Sequence, residues 1–405
     1  MNNYIKKASI AAMAAVLPLS AAAEVSISGW INEGITYFDD GANSGIYQTS
    51  ENGHTLGSRI TLSGSTEVSG GLTVGMEVII EPQSTSELLG SGSGGFQGSA
   101  FGKESIGGPD PFLSAAGAPG NGHDLTILGN SLNISGGFGK VTVGLQSMPT
   151  DNIAVLEDPS LTLWSAISPV FVGNGATIQN STGATTTWGG FLTCGSGIGG
   201  IGIDCNGIYR KGVRWDLPAF GPVTVAVGAA NNDVYDVAAK WKGEVSGIKT
   251  QIAAGYAMLS AGNAFGGKGV DNFQVQAGAM DPASGIFGSI AYQYEDMDSV
   301  AAGLSNDTDA FWTKVGIKKA FNSLGDTSLS VNYGQYSDQY VDATLTGSEV
   351  ERIGLEVNQY FGSSFILYGV WEMLDLEVEG PAAATAPYSG ADELNTFRLG
   401  ATYFF

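Results

Sequence analysis

From Glu24 onward hydrophobic and polar residues alternate with a period of two along most of the chain, and a helical period is almost absent. The last residues show this most cleanly. Phe397, Leu399, Ala401, Tyr403 and Phe405 fall on one face, with Thr396, Arg398, Gly400, Thr402 and Phe404 on the other. An apolar, aromatic face backed by a small and polar one suits a strand with lipid on one side and water on the other. Near the other end Val25, Ile27, Ile31, Ile35 and Tyr37 share a face. Glu33 interrupts it, which a subunit contact or a bulge would each accommodate.

Sixteen segments carry the alternation: 24–38, 58–68, 72–81, 124–135, 140–147, 207–217, 222–230, 233–242, 248–259, 270–280, 286–295, 309–319, 326–337, 349–360, 363–375 and 393–405. They have eight to fifteen residues each, enough in most cases to cross a bilayer when tilted. The links alternate in length. Every second one is a tight turn rich in Gly, Pro, Ser or Asp, as at 69–71, 136–139, 218–221, 246–247 and 281–285. Most of the others are long and polar: 39–57, 82–123, 148–206, 260–269, 296–308, 338–348 and 376–392, with the pair Asn231-Asn232 as the exception. The pattern predicts an all-β fold, a transmembrane antiparallel β-barrel of 16 strands over 24–405, with short periplasmic turns and long external loops. An even count lets the first and last strands pair and leaves no edge in lipid. A β-solenoid would show a short constant repeat, and the chain has none.

Composition sharpens this picture. Gly is abundant at 61 of 405 residues, and charged residues are scarce at 14%. No long apolar run follows the N-terminal segment, as expected when alternation keeps mean hydropathy near neutral. Residues 1–23 read as a cleaved secretory signal: Lys6 and Lys7, a short apolar core, then Ala21-Ala22-Ala23. The mature chain of 382 residues (405 − 23) keeps 15 of 17 basic and all 39 acidic residues, a net charge of −24. That balance argues against nucleic acid as a partner. It suits contact with cations, or a rim of acidic loops that keeps the protein soluble.

Cys194 and Cys205 are the only cysteines, and an exported chain with an even count invites a disulfide between them. Acidic clusters stand at Asp39 with Asp40, Asp296 with Asp298, Asp307 with Asp309, and Asp375 with Glu377 and Glu379. Loop carboxylates at this density could take Ca²⁺, although no calcium-loop pattern is present and solvated charge is the plainer reading. Gly195–Gly200 fits a GxGxxG string without the flanking strand and helix that would give it meaning. Two histidines and no nucleophile–His–acid set argue against an enzyme. Trp164, Trp188 and Trp312 suit either an aromatic girdle or a sugar platform, the girdle being the commoner use for Trp312. Arg210 and Arg214 lie opposite Val213 and Trp215 in phase, so they face the lumen if those two face lipid.

The chain resembles the Gram-negative general porins. The resemblance is carried by VSISGWINEGITYFDDG at the start, SRITLSGSTEVSGGLTVGMEV from Ser58, GGFGKVTVGLQ from Gly136, GVRWDLPAFGPVTVAVGAA from Gly212 and the terminal TFRLGATYFF. It implies a homotrimer of sixteen-stranded barrels in the outer membrane, in contact with lipid and lipopolysaccharide and inserted by the barrel-assembly machinery. It implies that the third long loop, 148–206, folds into the pore and sets Asp151, Glu157 and Asp158 against a basic wall cluster of Arg59, Arg210 and Arg214. It gives Phe405, with Phe397 and Tyr403, a part in barrel closure and in the assembly signal. One departure is Gly144-Leu145-Gln146, where the family often has Gly-Arg-Gln; a missing wall cation leans the pore towards cations. The expected function is passive diffusion of small hydrophilic solutes, without a resident cofactor. The alternatives are a channel specific for a sugar or amino acid, and a structural or adhesive barrel with a plugged lumen.

Overall fold

The computed structural model describes residues 24–39, 41, 44–49, 58–83, 104–105, 124–162, 177–178, 186–192, 205, 209–231, 233–259, 269–298, 305–339, 344–389 and 393–405. Residues 1–23, with Asp40, Trp164 and Cys194, lie outside them. Sixteen strands form the wall: β1 (Glu24–Asp39), β2 (Arg59–Val68), β3 (Leu72–Gln83), β4 (Asp124–Gly136), β5 (Gly139–Ser147), β6 (Tyr209–Asp216), β7 (Val223–Ala230) and β8 (Val234–Val245), then β9 (Ile248–Leu259), β10 (Val270–Met280), β11 (Ile286–Met297), β12 (Asp307–Asn322), β13 (Gly325–Ser337), β14 (Gly347–Phe361), β15 (Phe365–Glu379) and β16 (Leu394–Phe404). Each pairs antiparallel with the next.

The sheet closes through β1, which serves two partners. Its first half pairs with β2 from Glu24↔Ser65 to Trp30↔Arg59. Its second half pairs with β16 from Trp30↔Phe404 to Asp39↔Asn395. The second register is continuous, so Glu33 sits opposite Ala401 without a bulge; the bulge reading of Glu33 is corrected. Short strands Ser44–Thr49 and Glu104–Ser105 add to β1 and β4 inside segments expected as loops. Tight turns close one end of the barrel. At Ser246-Gly247 both residues adopt positive φ (52° and 84°), as a two-residue hairpin turn requires.

Alternation sorts the two faces. Outward positions are large, apolar and exposed, among them Ile35, Val213, Ile252, Leu355 and Leu399, the last at 71%. No packed core beneath the outer face explains this set, and an apolar solvent does. Aromatics gather at the two ends of the outer band: Phe321, Tyr403 and Phe405 towards the turns, Tyr256, Tyr292 and Phe397 towards the loops. Tyr37 and Trp371 flank Phe397 at 6.1 and 6.4 Å between ring centres.

Two expectations change. Trp312 does not belong to the girdle: it faces inward, buried against Ala154 and Ala291. Several acidic clusters expected in loops lie on strands, because β12 begins at Asp307 and β15 runs on to Glu379. Among the described residues no three His, Cys, Asp or Glu side chains converge as a metal site.

Placing a guanidinium mid-band tests the orientation of the outer face. Leu399→Arg is expected to destabilise the folded barrel by about 2–4 kcal/mol in a bilayer, read as a lowered urea midpoint in liposomes. An unchanged midpoint would mean that this face does not meet lipid.

Candidate functional site: a loop pinned across the lumen

After β5 the chain turns inward. Residues 148–162 cross the inside of the barrel as consecutive tight turns, with hydrogen bonds such as Asp151 N to Met148 O (3.1 Å) and Leu156 N to Asn152 O (3.1 Å). The wall opposite is built to receive them. Inward positions on β7, β9 and β10 are Gly228, Gly255 and Gly278. A Cβ at Gly278 would come within 2.5 Å of the Glu157 carbonyl oxygen, and one at Gly255 within 2.9 Å of the Thr150 methyl. Ile153 sits against Ala238 and Ala253, and Ala154 against Ala291 and Trp312. Small wall residues thus form a groove, and the loop's few apolar side chains fill it.

Polar anchors fix the register. Thr150 donates through its backbone N–H and its hydroxyl to Asp236, both at 2.9 Å. The N–H of Glu157 donates to the Gln276 side-chain oxygen at 2.6 Å. Glu157 is clamped between Lys240 (3.0 Å) and Lys242 (3.2 Å) of β8. Asp158 forms a fully buried ion pair with Lys314 of β12 at 2.6 Å. Lys314 also donates to the Thr162 hydroxyl (2.6 Å), and Lys318 to the Ser160 carbonyl (2.9 Å). Burial alone would raise the Asp158 pKa. The Lys314 charge and hydrogen bond and the Ser160 donors outweigh that and hold it below the ordinary value. A lowered carboxylate pKa contributes to docking above the unfolded value and loses that contribution as pH falls through the folded one, so this anchor persists through neutral and mildly acidic pH.

The three acidic residues expected as one group differ in their partners, with Lys240 common to Glu157 and Asp151. Glu157 and Asp158 hold the loop to β8 and β12. Asp151 lies beside Arg59, Lys240 and Arg214 and receives a hydrogen bond from Ser147. Burial outweighs the opposing pull of Ser147 and the three cations, and the carboxyl is pushed up to about 6. The three expected wall arginines are not equivalent. Arg59 lies on the ring of Trp30 (4.4 Å) and pairs with Glu81 at 2.9 Å. Arg214 pairs with Asp216 at 2.7 Å. Arg210 is turned inward within the fields of Asp236 and Asp151.

Further along the same loop, Thr186–Thr187 pairs with Thr177–Ile178, and the Trp188–Phe191 turn follows. Cys205 is disulfide-bonded and buried, and Gln293 of β11 holds both its N–H and its sulfur at 2.6 Å. Its expected partner, Cys194, lies outside the described residues. Sequence reasoning missed the lysines and the wall glycines. The usable signal was the run of Gly and Ala at inward positions, where a water-facing wall should be polar.

The Lys314–Asp158 pair gives a direct test. Asp158→Asn or Lys314→Met alone leaves a buried charge without its counterpart and is expected to cost about 3–5 kcal/mol. The double variant should recover most of that. Gel mobility against temperature reads both, and full additivity of the two losses would mean that the pair does not couple loop to wall.

Comparison with known proteins agrees with this geometry. The sequence profile of the Gram-negative porins matches residues 8–378. The solved anion-selective porin from Comamonas acidovorans superposes with a TM-score of 0.58 at 16% identity, covering 95% of this chain and all of that one. OmpF of Salmonella typhi in complex with daunomycin gives 0.56 at 13% identity, covering 95% and 100%. OmpT of Vibrio cholerae gives 0.54 at 13%, covering 96% and 100%. Comparison with curated proteins finds no significant match. A closed sixteen-stranded antiparallel barrel, an inner loop bound to its wall and a family profile spanning most of the sequence lead to one conclusion: the chain belongs to the Gram-negative porins and is an outer-membrane channel protein for small solutes.

Proposed function

We propose that this porin is a passive diffusion channel whose narrowest point lies where Asp151 faces Arg59, Arg214 and Lys240. The observation that carries this reading is the position of Asp151 on a loop pinned across the lumen, in the field of wall cations. Opposed charges in a wet constriction orient dipolar solutes and disfavour apolar ones. Selectivity leans towards cations. Arg59 and Arg214 are matched by Glu81 and Asp216, which leaves little unbalanced positive charge at the wall, and the mature chain carries a net −24. Anion selectivity is a property of the Comamonas protein, whose likeness to this chain at 16% identity is one of fold.

The assembled protein is a homotrimer in contact with lipid and lipopolysaccharide, exported by a signal cleaved after Ala23. The trimer form of the Vibrio cholerae OmpT supports the assembly, and a subunit contact accounts for Glu33 between Ile31 and Ile35 on the outer face. Cys205 pairs with Cys194, the only other cysteine. Phe405 and Gly29 exchange two backbone hydrogen bonds (3.0 and 3.1 Å) at the seam, which supports a role for the last residue in closure as well as in recognition by the assembly machinery.

Planar-bilayer recording tests the channel reading, and a folded protein that never opens a conductance would overturn it. In a salt gradient the reversal potential is expected to shift away from cations as pH falls from 7.5 to 5, because Asp151, raised to about 6, takes up a proton. Asp151→Asn should show the low-pH value throughout and lose the transition. The same transition in the variant would assign it elsewhere. Deleting Phe405 is expected to lower the yield of folded barrel several-fold while leaving unitary conductance unchanged. Equal yields would remove its role in assembly.

A further inference from the structure

The faces of the barrel exchange character at its loop end. Through the membrane band, inward positions on β12–β16 are polar: Lys314, Asn332, Arg352, Glu372 and Arg398. Above them they turn apolar, with Ala310, Tyr336, Val350, Leu374, Leu376 and Leu394 all buried in one cluster. The outward positions turn the other way, from β10 and β11 round to β15. Asp271 is paired across strands with Asp296, Asp296 with Asp307, Glu349 with Glu377, and Glu351 with Asp375. Like charges set directly opposite one another are tolerable only in a medium of high dielectric. Tyr294 and Tyr333 donate to Asp307 (2.8 Å) and Glu351 (2.7 Å), at the level where the aromatic girdle gives way to the acidic rows. An exterior of carboxylates around an apolar interior is the pattern of a water-soluble barrel, the reverse of a membrane pore.

Something apolar must fill such a bore, and the third loop supplies it. Trp188, Phe191 and Leu192 are buried against those inward residues. The last external connection closes over them: a short helix, α1 (Ala382–Thr385), leads into the Ala386–Tyr388 turn, and Tyr388 meets Phe191 edge to face at 5.2 Å. Beneath, Arg352 and Glu372 pair at 2.6 Å as a polar floor, with Arg352 also donating to the Tyr336 hydroxyl at 3.3 Å. We propose that β12–β16 rise beyond the bilayer as a water-facing collar stoppered by Trp188–Phe191 and Leu192, so that solutes enter on the β1–β7 side. Phe191 and Tyr388 are then positioning residues that set where the channel opens and how wide it is. This proposal rests on the diffusion-channel reading for the solute path, but not for the collar.

Neighbouring positions on β14 supply the test. Val350→Cys faces the bore and Glu351→Cys faces outward. Each is exposed in the full-length folded protein to a charged, membrane-impermeant thiol reagent from the loop side, and labelling is followed by mass. Glu351→Cys is expected to react freely, and Val350→Cys at least about tenfold more slowly, protected until the stopper opens. Phe191→Ser should abolish that protection and raise unitary conductance roughly 1.5- to 2-fold, while Phe191→Tyr keeps both near native. Tyr388→Ala, which removes only the roof, should deprotect Val350→Cys even if Phe191→Ser fails to fold. Equal labelling of Val350→Cys and Glu351→Cys in the otherwise native chain would overturn the collar. Protected Val350→Cys in a barrel that never conducts would instead remove the solute path and leave the collar standing.

Discussion

The constraint on which everything else rests is that no backbone N–H or C=O can be left unpaired against lipid. One open edge among sixteen strands would violate it, so the ladder from Trp30↔Phe404 to Asp39↔Asn395 is required for the others to exist. Closure fixes which face of each strand meets lipid, and alternation then assigns every side chain to one solvent or the other. The exposed Leu399 and the buried Arg398 are neighbours in sequence and live in different media.

The interior shows a second economy. A loop that crosses a polar lumen must be held without a hydrophobic core, so its docking combines contact with Gly and Ala on the wall and charges offered from β8 and β12. The two anchors differ in kind. Glu157 shares two lysines at a partly hydrated edge, whereas Asp158 and Lys314 are wholly buried and depend on each other. Asp151 stands among the wall cations Arg59, Lys240 and Arg214, and Lys240 is shared with the Glu157 anchor.

Much of the fold was legible in the sequence because a period of two needs no tertiary information. Strand count, turn placement and the inward direction of Arg210 and Arg214 all follow from it. Strand ends were less legible. The run 372–379 alternates as strictly as any membrane segment, yet Glu377 and Glu379 read as loop when every alternating strand is assumed to stop at the bilayer. Trp312 was misplaced for a related reason: a tryptophan near a strand end suggests a girdle until its parity is compared with Lys314, two residues on and facing the lumen. The different partners of the three acidic residues were not legible at all, since Lys240 serves both Asp151 and Glu157 while Asp158 meets Lys314 across the lumen.

The divided pairing of β1 has a kinetic consequence. The seam joins the first strand made to the last, so no barrel exists until the whole chain is present, and contacts of the greatest sequence separation are the slowest to form. Until then the second half of β1 and the whole of β16 are open edges, able to pair with any other strand. Ser44–Thr49 already occupies one side of that half of β1, which leaves β16 only one place to join. A short strand inside an external loop thus narrows the ways in which the chain can close incorrectly while it waits for its own C-terminus.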